Sequence, residues 1–450
     1  MKFLNKQFTQ ETLKLALPVM LTQVGQVSVN LFDNIIVGKL LGAKALAAVS
    51  LGNAMFFSIF IFGLGFSLAI PPFVSEAHSQ HDHNRINSIF RHGFVVNIIL
   101  AFVLMLLIFG IIPLMPYLNQ PKEILPDTIT FLSIVTLSII PFMIFQTMRE
   151  VSEGLSFTIG VTKATIFANV INVILNYVFI EHFKMGVAGS AWATFIARVA
   201  MMVFLYYVLI KEEKTRRYIK DFSLKIKDFT KEMFEKLIRL GFPTALQLFF
   251  EVTAFAGAAF ICGLISAKDI AAHQIALSMA SFTFNLCVGF SVASTVMIGR
   301  KLGEKDFVNL EKVGFNNLKI AFIFMLMCGL VFILGKDVLP TFFTKKEDIA
   351  VVELASQLMI IAALFQLSDG IQVTALGCLR GIQDVKIPSI LTFIAYWVIT
   401  IPLGYYLTVP MKMGAFGMWI ALGIGLTISA VLLVIRFRNL SEKRIKAQSN

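Results

Sequence analysis

Leu240 to Leu264 reads LGFPTALQLFFEVTAFAGAAFICGL, an apolar run of 25 residues that carries one charge, Glu251. As a helix rising 1.5 Å per residue it is long enough to cross a hydrocarbon core about 30 Å thick. Glu251 lies twelve residues beyond Arg239, the last basic residue before the run. That spacing places its carboxylate about 18 Å deep, near the midplane. An acid there costs about 2.5–3.5 kcal/mol on insertion scales, so it should face protein or water and mark an ion or substrate path. A plain hydrogen bond within the bundle is the simpler role for the same group.

Composition extends this reading to the whole chain. Over 450 residues, 57% are hydrophobic and only 15% charged, with a mean hydropathy of +0.80. A soluble core cannot hide that much apolar surface, so the chain is an all-α integral membrane protein. Cys262, Cys287, Cys328 and Cys378 fall in or at the ends of apolar runs without metal-type spacing, which argues for packing rather than a disulfide framework or a zinc site. The net charge of +12 is spread over the loops between apolar runs. Membrane orientation explains it better than nucleic acid does, and no nucleic-acid partner is expected. The polar start, Met1 to Thr12, runs into a full-length span rather than a short signal core, so no cleavable leader is expected.

Twelve spans are expected, from Leu13–Val37 to Gly414–Ile435, with the fourth read as one helix over Thr128–Met148. With an even count both termini share a side, and most Lys and Arg lie there, which makes that side cytoplasmic. Residues 211–239 carry ten basic residues and divide the chain into an N-terminal bundle over 1–210 and a C-terminal bundle over 240–450. This segment is expected to be a linker lying on anionic headgroups. The halves repeat: Leu15-Ala16-Leu17-Pro18 matches Leu240-Gly241-Phe242-Pro243, GFS recurs at Gly65 and Gly289, and KMGVAG from Lys184 matches KMGAFG from Lys412. Several matches in order at a nearly constant shift imply duplication of a six-helix unit. Two six-helix bundles in the same orientation imply a pseudo-twofold axis along the membrane normal and a central cavity, the plan of an alternating-access transporter.

Polar groups punctuate the apolar spans. Gln23, Gln26, Asn30 and Asp33 share one face of the first span, and Gln274, Ser278, Ser281 and Asn285 repeat the pattern in the eighth. The tenth carries Gln366, Asp369 and Gln372, with Asp369 about 16 Å from its cytoplasmic end, near the depth of Glu251. Two carboxylates at one level can supply oxygen ligands to a monovalent cation or share a proton, provided that their helices meet. Asn172 and Asn176 on the fifth span and Thr194 on the sixth, with Asp33, form a candidate second site in the N-terminal half, although amides also serve as helix glue. Arg198, inside the sixth span, is left outside the site as a structural partner or a snorkelling side chain. The cluster His78, His81, Asp82 and His83 is expected to be a solvated loop. No phosphate loop, HExxH or GxSxG occurs, so no enzyme is expected.

The segments LFDNIIVG around Asp33, NVINVILNYVF around Asn172 and Asn176, RLGFPTALQLFFEVTAFA around Glu251, IAAHQIAL around Gln274 and QLSDGIQVTALGCLRG around Asp369 resemble the multidrug and toxic compound extrusion (MATE) family, NorM branch. The resemblance spans essentially the whole chain. It implies a twelve-helix exporter in the bacterial cytoplasmic membrane that expels cationic, amphipathic drugs and toxins in exchange for Na+, H+ or both, with no other cofactor. It further implies Glu251 and Asp369 as a cation site, Asp33 as an acid for protons, cations or drug, and Asn172, Asn176 and Thr194 as its partners. Gln26 and Gln274 are grouped with the substrate or second-cation site, lipid is expected as surroundings, and the assembly is expected to be monomeric. Two departures bear on the coupling ion. Asn176 stands where some relatives have Asp, and Phe365 where some have Tyr, which removes a hydroxyl ligand. Rival readings are a lipid-linked oligosaccharide flippase, whose cavity should be cationic, and a membrane-embedded metalloenzyme built on the histidine cluster.

Overall fold

The computed structural model describes residues 4–117, 121–225, 228–343 and 349–449. All regular structure among them is helical: α1 (Lys6–Leu41), α2 (Ala43–Ser67), α3 (Ile70–Ser79), α4 (His83–Ile111), α5 (Leu125–Leu137), α6 (Ile139–Gly154), α7 (Ile159–Tyr177) and α8 (Gly186–Lys211). A short α9 (Glu213–Lys220) precedes α10 (Lys231–Gly263), α11 (Ala267–Gly303), α12 (Phe307–Gly335), α13 (Ile349–Gly381), α14 (Lys386–Phe393), α15 (Ile401–Thr408) and α16 (Gly414–Ser449). Wider π turns extend α7 over Val178–His182 and join α14 to α15 over Ile394–Thr400.

Among the described residues, eleven helical stretches are long and apolar enough to cross a membrane. The pair α5 and α6 makes a twelfth if it is one span, but it is bent by 42° at Ser138. The single helix expected over Thr128–Met148 is thus a broken one. The Ser138 hydroxyl bonds back to the Val135 carbonyl, and Pro141, in the first turn of α6, has no N–H to continue the α5 ladder.

Two compact units emerge, Met1–Met20 with Leu246–Asn450, and Leu21–Ala245. The helices α1 and α10 therefore each pass from one unit into the other. Both carry an interior proline close to that passage, Pro18 and Pro243, where each removes one backbone hydrogen bond.

The duplication read from the sequence recurs in the backbone. Left-handed residues stand at His81 and Lys305, Ser156 and Gln383, Lys184 and Lys412, and Gly186 and Gly414, in the same order and at shifts close to those of the sequence matches. After His81 and Lys305, Asp82 and Asp306 cap α4 and α12, their carboxylates accepting from the amides of Arg85 and Asn309.

The core of each unit is the buried stripe of its helices. In the first unit, Phe290, Val296, Met325, Leu376, Cys378 and Phe437 pack together. In the second, Val37, Phe56, Phe131, Leu132, Met143 and Ala191 do so. The four cysteines are free thiols, three of them buried.

The basic segment after α8 is docked on α4. Phe222 packs on Phe90 and Phe94 at ring separations of 4.8 and 5.3 Å. Arg91 pairs with Asp228 at 2.8 Å, and His92 Nε2 accepts from the Thr230 amide at 2.9 Å. The Tyr218 hydroxyl, whose acidity burial weakens, shares a 2.7 Å bond with His83 Nδ1. Charge dominates the composition of this segment, but its few aromatic residues decide where it sits. Residues 226–227 lie outside the described residues.

Candidate functional site

In the Leu246–Asn450 portion, α10, α13 and the π turn after α14 bring Glu251, Asp369, Gln372 and Tyr396 together. Glu251 is 6% and Asp369 3% exposed, and Gln372 and Tyr396 are fully buried. Glu251 Oε1 accepts from Gln372 Nε2 and from the Tyr396 hydroxyl, both at 3.4 Å, and Gln372 Nε2 reaches the Tyr396 oxygen at 3.2 Å. These bonds are near the long limit for a hydrogen bond, so the carboxylate is loosely held. Asp369, one turn before Gln372, lies within electrostatic range of Glu251 and of Tyr396, and the Arg380 guanidinium within range of Glu251. The two helices do meet at the level of the acids. Glu251, Gln372 and Tyr396 in contact, with the Asp369 carboxylate in electrostatic range, offer the hard oxygen donors that suit a small cation.

Tyr396 had no place in the reading of the sequence. Phe365, where a tyrosine was missed, packs its ring against Phe255 and Trp419, and the hydroxyl comes instead from a different helix. The available signal was a tyrosine in the otherwise apolar run TFIAYWVIT, since a buried phenol seeks a hydrogen-bond partner. His273 on α11 and Gln366 on α13 are fully buried, and neither imidazole nitrogen nor either amide atom has a protein partner. Gln274 is exposed on α11, its carbonyl accepting from the Ser278 hydroxyl at 2.7 Å.

In the Leu21–Ala245 unit, α1 and α7 run side by side and are joined at three levels. Thr22 bonds Thr162 at 3.0 Å, Asn169 Nδ2 donates to the Gly25 carbonyl at 2.9 Å, and Asn176 Nδ2 donates to Asp33 Oδ1 at 2.5 Å. Asp33 is 7% exposed. Asn172 is buried one turn before Asn176, with neither amide atom paired. On α8 the Ser190 hydroxyl is buried and unpaired, while Thr194 Oγ1 donates to the Ser190 carbonyl at 3.1 Å. Gln26 is half-buried and Asn30 exposed, so the polar face of α1 is buried at Asp33 and more open on its N-terminal side. Arg198 lies within electrostatic range of Asp33, which the sequence alone did not indicate.

The histidine loop is occupied with local structure. Asp82 caps α4, His83 meets Tyr218, and Arg85 pairs with Glu76 at 2.8 Å. Among the described residues no group of three or more His, Cys, Asp or Glu is placed to hold a metal.

Against this geometry, comparison with known proteins is unambiguous at the level of family. The MatE family model matches twice, over residues 18–178 and 243–406, one match in each repeat and beginning at the two matched prolines. Among curated relatives, a probable multidrug resistance protein NorM of Agrobacterium fabrum is 33% identical, covering 97% of this chain and 94% of the relative. The multidrug resistance protein NorM of Photobacterium profundum is 31% identical, covering 96% and 95%. Both relatives are named as multidrug resistance proteins. The fold is that of a MATE crystal structure in the bent conformation, with a TM-score of 0.89 at 19% identity over 98% of this chain and 97% of that one. The eukaryotic MATE transporter AtDTX14 gives 0.87 at 17% identity, covering 98% and 99%. With both repeats matched and the full length shared, the chain belongs to the MatE family.

Proposed function

We propose that the protein is a secondary active multidrug exporter of the bacterial cytoplasmic membrane, with both termini cytoplasmic. It acts as a monomer and exchanges cationic, amphipathic compounds for Na+ or H+. The observation that carries this is the buried carboxylate cluster, Glu251 with Asp369 beside Gln372 and Tyr396, inside apolar helices. Such acids are expensive in hydrocarbon and persist where positive charge moves. The names of the relatives, multidrug resistance proteins, support the same class of cargo.

The proposed cycle needs only differential binding. The external cation binds Glu251 and Asp369 in one state and lowers affinity for drug there; the other state reloads with drug, Asp33, Asn172, Asn176 and Thr194 forming a second polar site for it. Gln26 and Gln274, each within its own unit, are further candidate contacts for substrate or a second cation. A tenfold ion gradient supplies about 1.4 kcal/mol per ion, and 100 mV adds about 2.3 kcal/mol per charge. Were two ions to enter per monocation expelled, one net charge would move, and two tenfold gradients with 100 mV would together support a concentration ratio above about a thousandfold.

The test uses purified protein in liposomes with Na+ and proton gradients imposed separately. Efflux of a lipophilic cation such as tetraphenylphosphonium should accelerate under at least one of them, and indifference to both would refute the exchange. Tyr396→Phe keeps the ring against Phe255, at 5.8 Å, and removes only the hydroxyl. Loss of one neutral donor or ligand is worth about 1 kcal/mol. The cation concentration that half-saturates exchange should rise about fivefold with little change in folded yield; an unchanged value would remove Tyr396 from the cation site.

A further inference from the structure

Arg198 is a permanently charged side chain within electrostatic range of Asp33, yet among the described residues no direct salt bridge joins the two. The guanidinium is held elsewhere. Its Nη1 donates to the Ser138 hydroxyl at 2.7 Å, and its central carbon lies 4.8 Å from the Phe56 ring centre and 5.1 Å from that of Phe142. Ser138 is the residue at the break between α5 and α6. Arg198 thus rests in an aromatic cradle at a kink, within electrostatic range of an acid whose direct partner is the neutral amide of Asn176.

That arrangement has a chemical consequence. Arginine does not lose its proton under these conditions, so it cannot leave the neighbourhood of Asp33 by titrating. Neutral hydrogen bonds and cation–π contacts stabilise it without neutralising it. The field it casts on Asp33 opposes every mobile cation that approaches the same carboxylate, because two like charges compete for one counter-charge.

We propose that Arg198 is a specificity-determining residue of the N-terminal unit, a tethered cation that competes with the transported cation for Asp33. Held on Ser138, Phe56 and Phe142, it weakens the site enough for a bound monocation to leave; released from them, it occupies the acid. The inference rests on the reading that Asp33 receives positive cargo. It adds that the affinity of that acid is deliberately lowered from α8, and that compounds of higher positive charge are penalised more than monocations.

The experiment is equilibrium binding of tetraphenylphosphonium to the purified full chain at one pH and salt concentration. Arg198→Gln should bind about tenfold more tightly than the wild type, and Arg198→Lys within about twofold of it, because only the first loses the charge. The gain should vanish when Asp33→Asn is added to Arg198→Gln. Ser138→Ala, which cuts one tether, should shift affinity the opposite way, severalfold weaker. A merely structural Arg198 would move both variants in the same direction, or neither. If Asp33→Asn alone weakens binding while Arg198→Gln binds as the wild type or worse, the competing-cation inference falls and the reading of Asp33 stands. If Asp33→Asn binds as the wild type, both fall. Should Arg198→Gln not fold, Ser138→Ala decides: weaker binding supports the inference, and unchanged binding overturns it.

Discussion

Glu251→Gln is expected to reduce gradient-driven efflux in liposomes by two orders of magnitude or more while leaving the folded protein and its basal binding of drug in place. The substitution is nearly isosteric, and the amide oxygen can still accept from Gln372 and Tyr396, which now bond Glu251 Oε1 at 3.4 Å. What disappears is one unit of negative charge in a buried, low-dielectric setting. At an effective dielectric of about 20, a carboxylate about 4 Å from a monovalent cation contributes about 4 kcal/mol, or roughly a thousandfold in affinity. Asp369, 3% exposed and within electrostatic range of Glu251, remains as a single acid and recovers only part of that. Asp369→Asn should fall in the same range. The double variant should fall below either single one, because the carboxylate that still offsets part of the loss is then gone as well. Gradient-driven efflux at the wild-type rate in Glu251→Gln would end the exchange mechanism. Loss of folded protein instead, visible as a collapsed size-exclusion peak, would show the carboxylate to be structural.

Gly377→Val is expected to remove most of the folded protein. A Cβ at Gly377 would stand 2.3 Å from the Ser291 carbonyl oxygen and 2.8 Å from its Cα, both backbone atoms of α11. One turn later, a Cβ at Gly381 would stand 2.7 Å from Ile298 Cβ. The pair forms a small-xxx-small surface on which α13 and α11 approach closely enough for Thr295 Oγ1 to donate to the Gly377 carbonyl at 3.0 Å. No rotamer relieves a clash with backbone, so the helices must separate. Overpacking of this kind costs about 1–3 kcal/mol for a methylene or two, and a branched side chain against backbone should exceed that range, in a protein whose net stability is only about 5–15 kcal/mol. Gly423→Ala on α16 is the control. Its Cβ would meet nothing within 4 Å, and exchanging glycine for alanine in a helix gains about 0.5–1 kcal/mol. Thermal unfolding followed in detergent should therefore show Gly377→Val far below the wild type and Gly423→Ala level with it or above. A Gly377→Val protein as stable as the wild type would mean that α11 and α13 do not pack this way.

The two predictions draw on different kinds of information. That Glu251 is buried and charged is legible from the run around it, because a single carboxylate among apolar residues is improbable unless it is used. Asp33 and Asp369 stand out for the same reason. The amides of Asn172, Asn176 and Gln372 were legible as polar faces one turn apart. Their partners were not: Asn176 bonds Asp33 across 143 positions of the chain, and Tyr396 meets Glu251 across 145. No local spacing encodes such a pairing. Tyr396 and Arg198 were passed over because a phenol or a guanidinium acquires its meaning only from what stands opposite it. The seat of the basic segment on α4 was illegible for a related reason, since its charges outnumber the aromatic residues that fasten it there.

The sequence by itself determined that this is a helical membrane protein of duplicated six-span units with acids inside the apolar spans, because hydropathy, periodicity and repetition are properties of a chain read along its length. Only the tertiary structure decided which side chains surround those acids, that the fourth span breaks at Ser138, and that α1 and α10 each divide between two compact units. Those outcomes depend on how one helix surface fits against another, and that fit is set by side-chain shape and hydrogen bonding between residues more than a hundred positions apart.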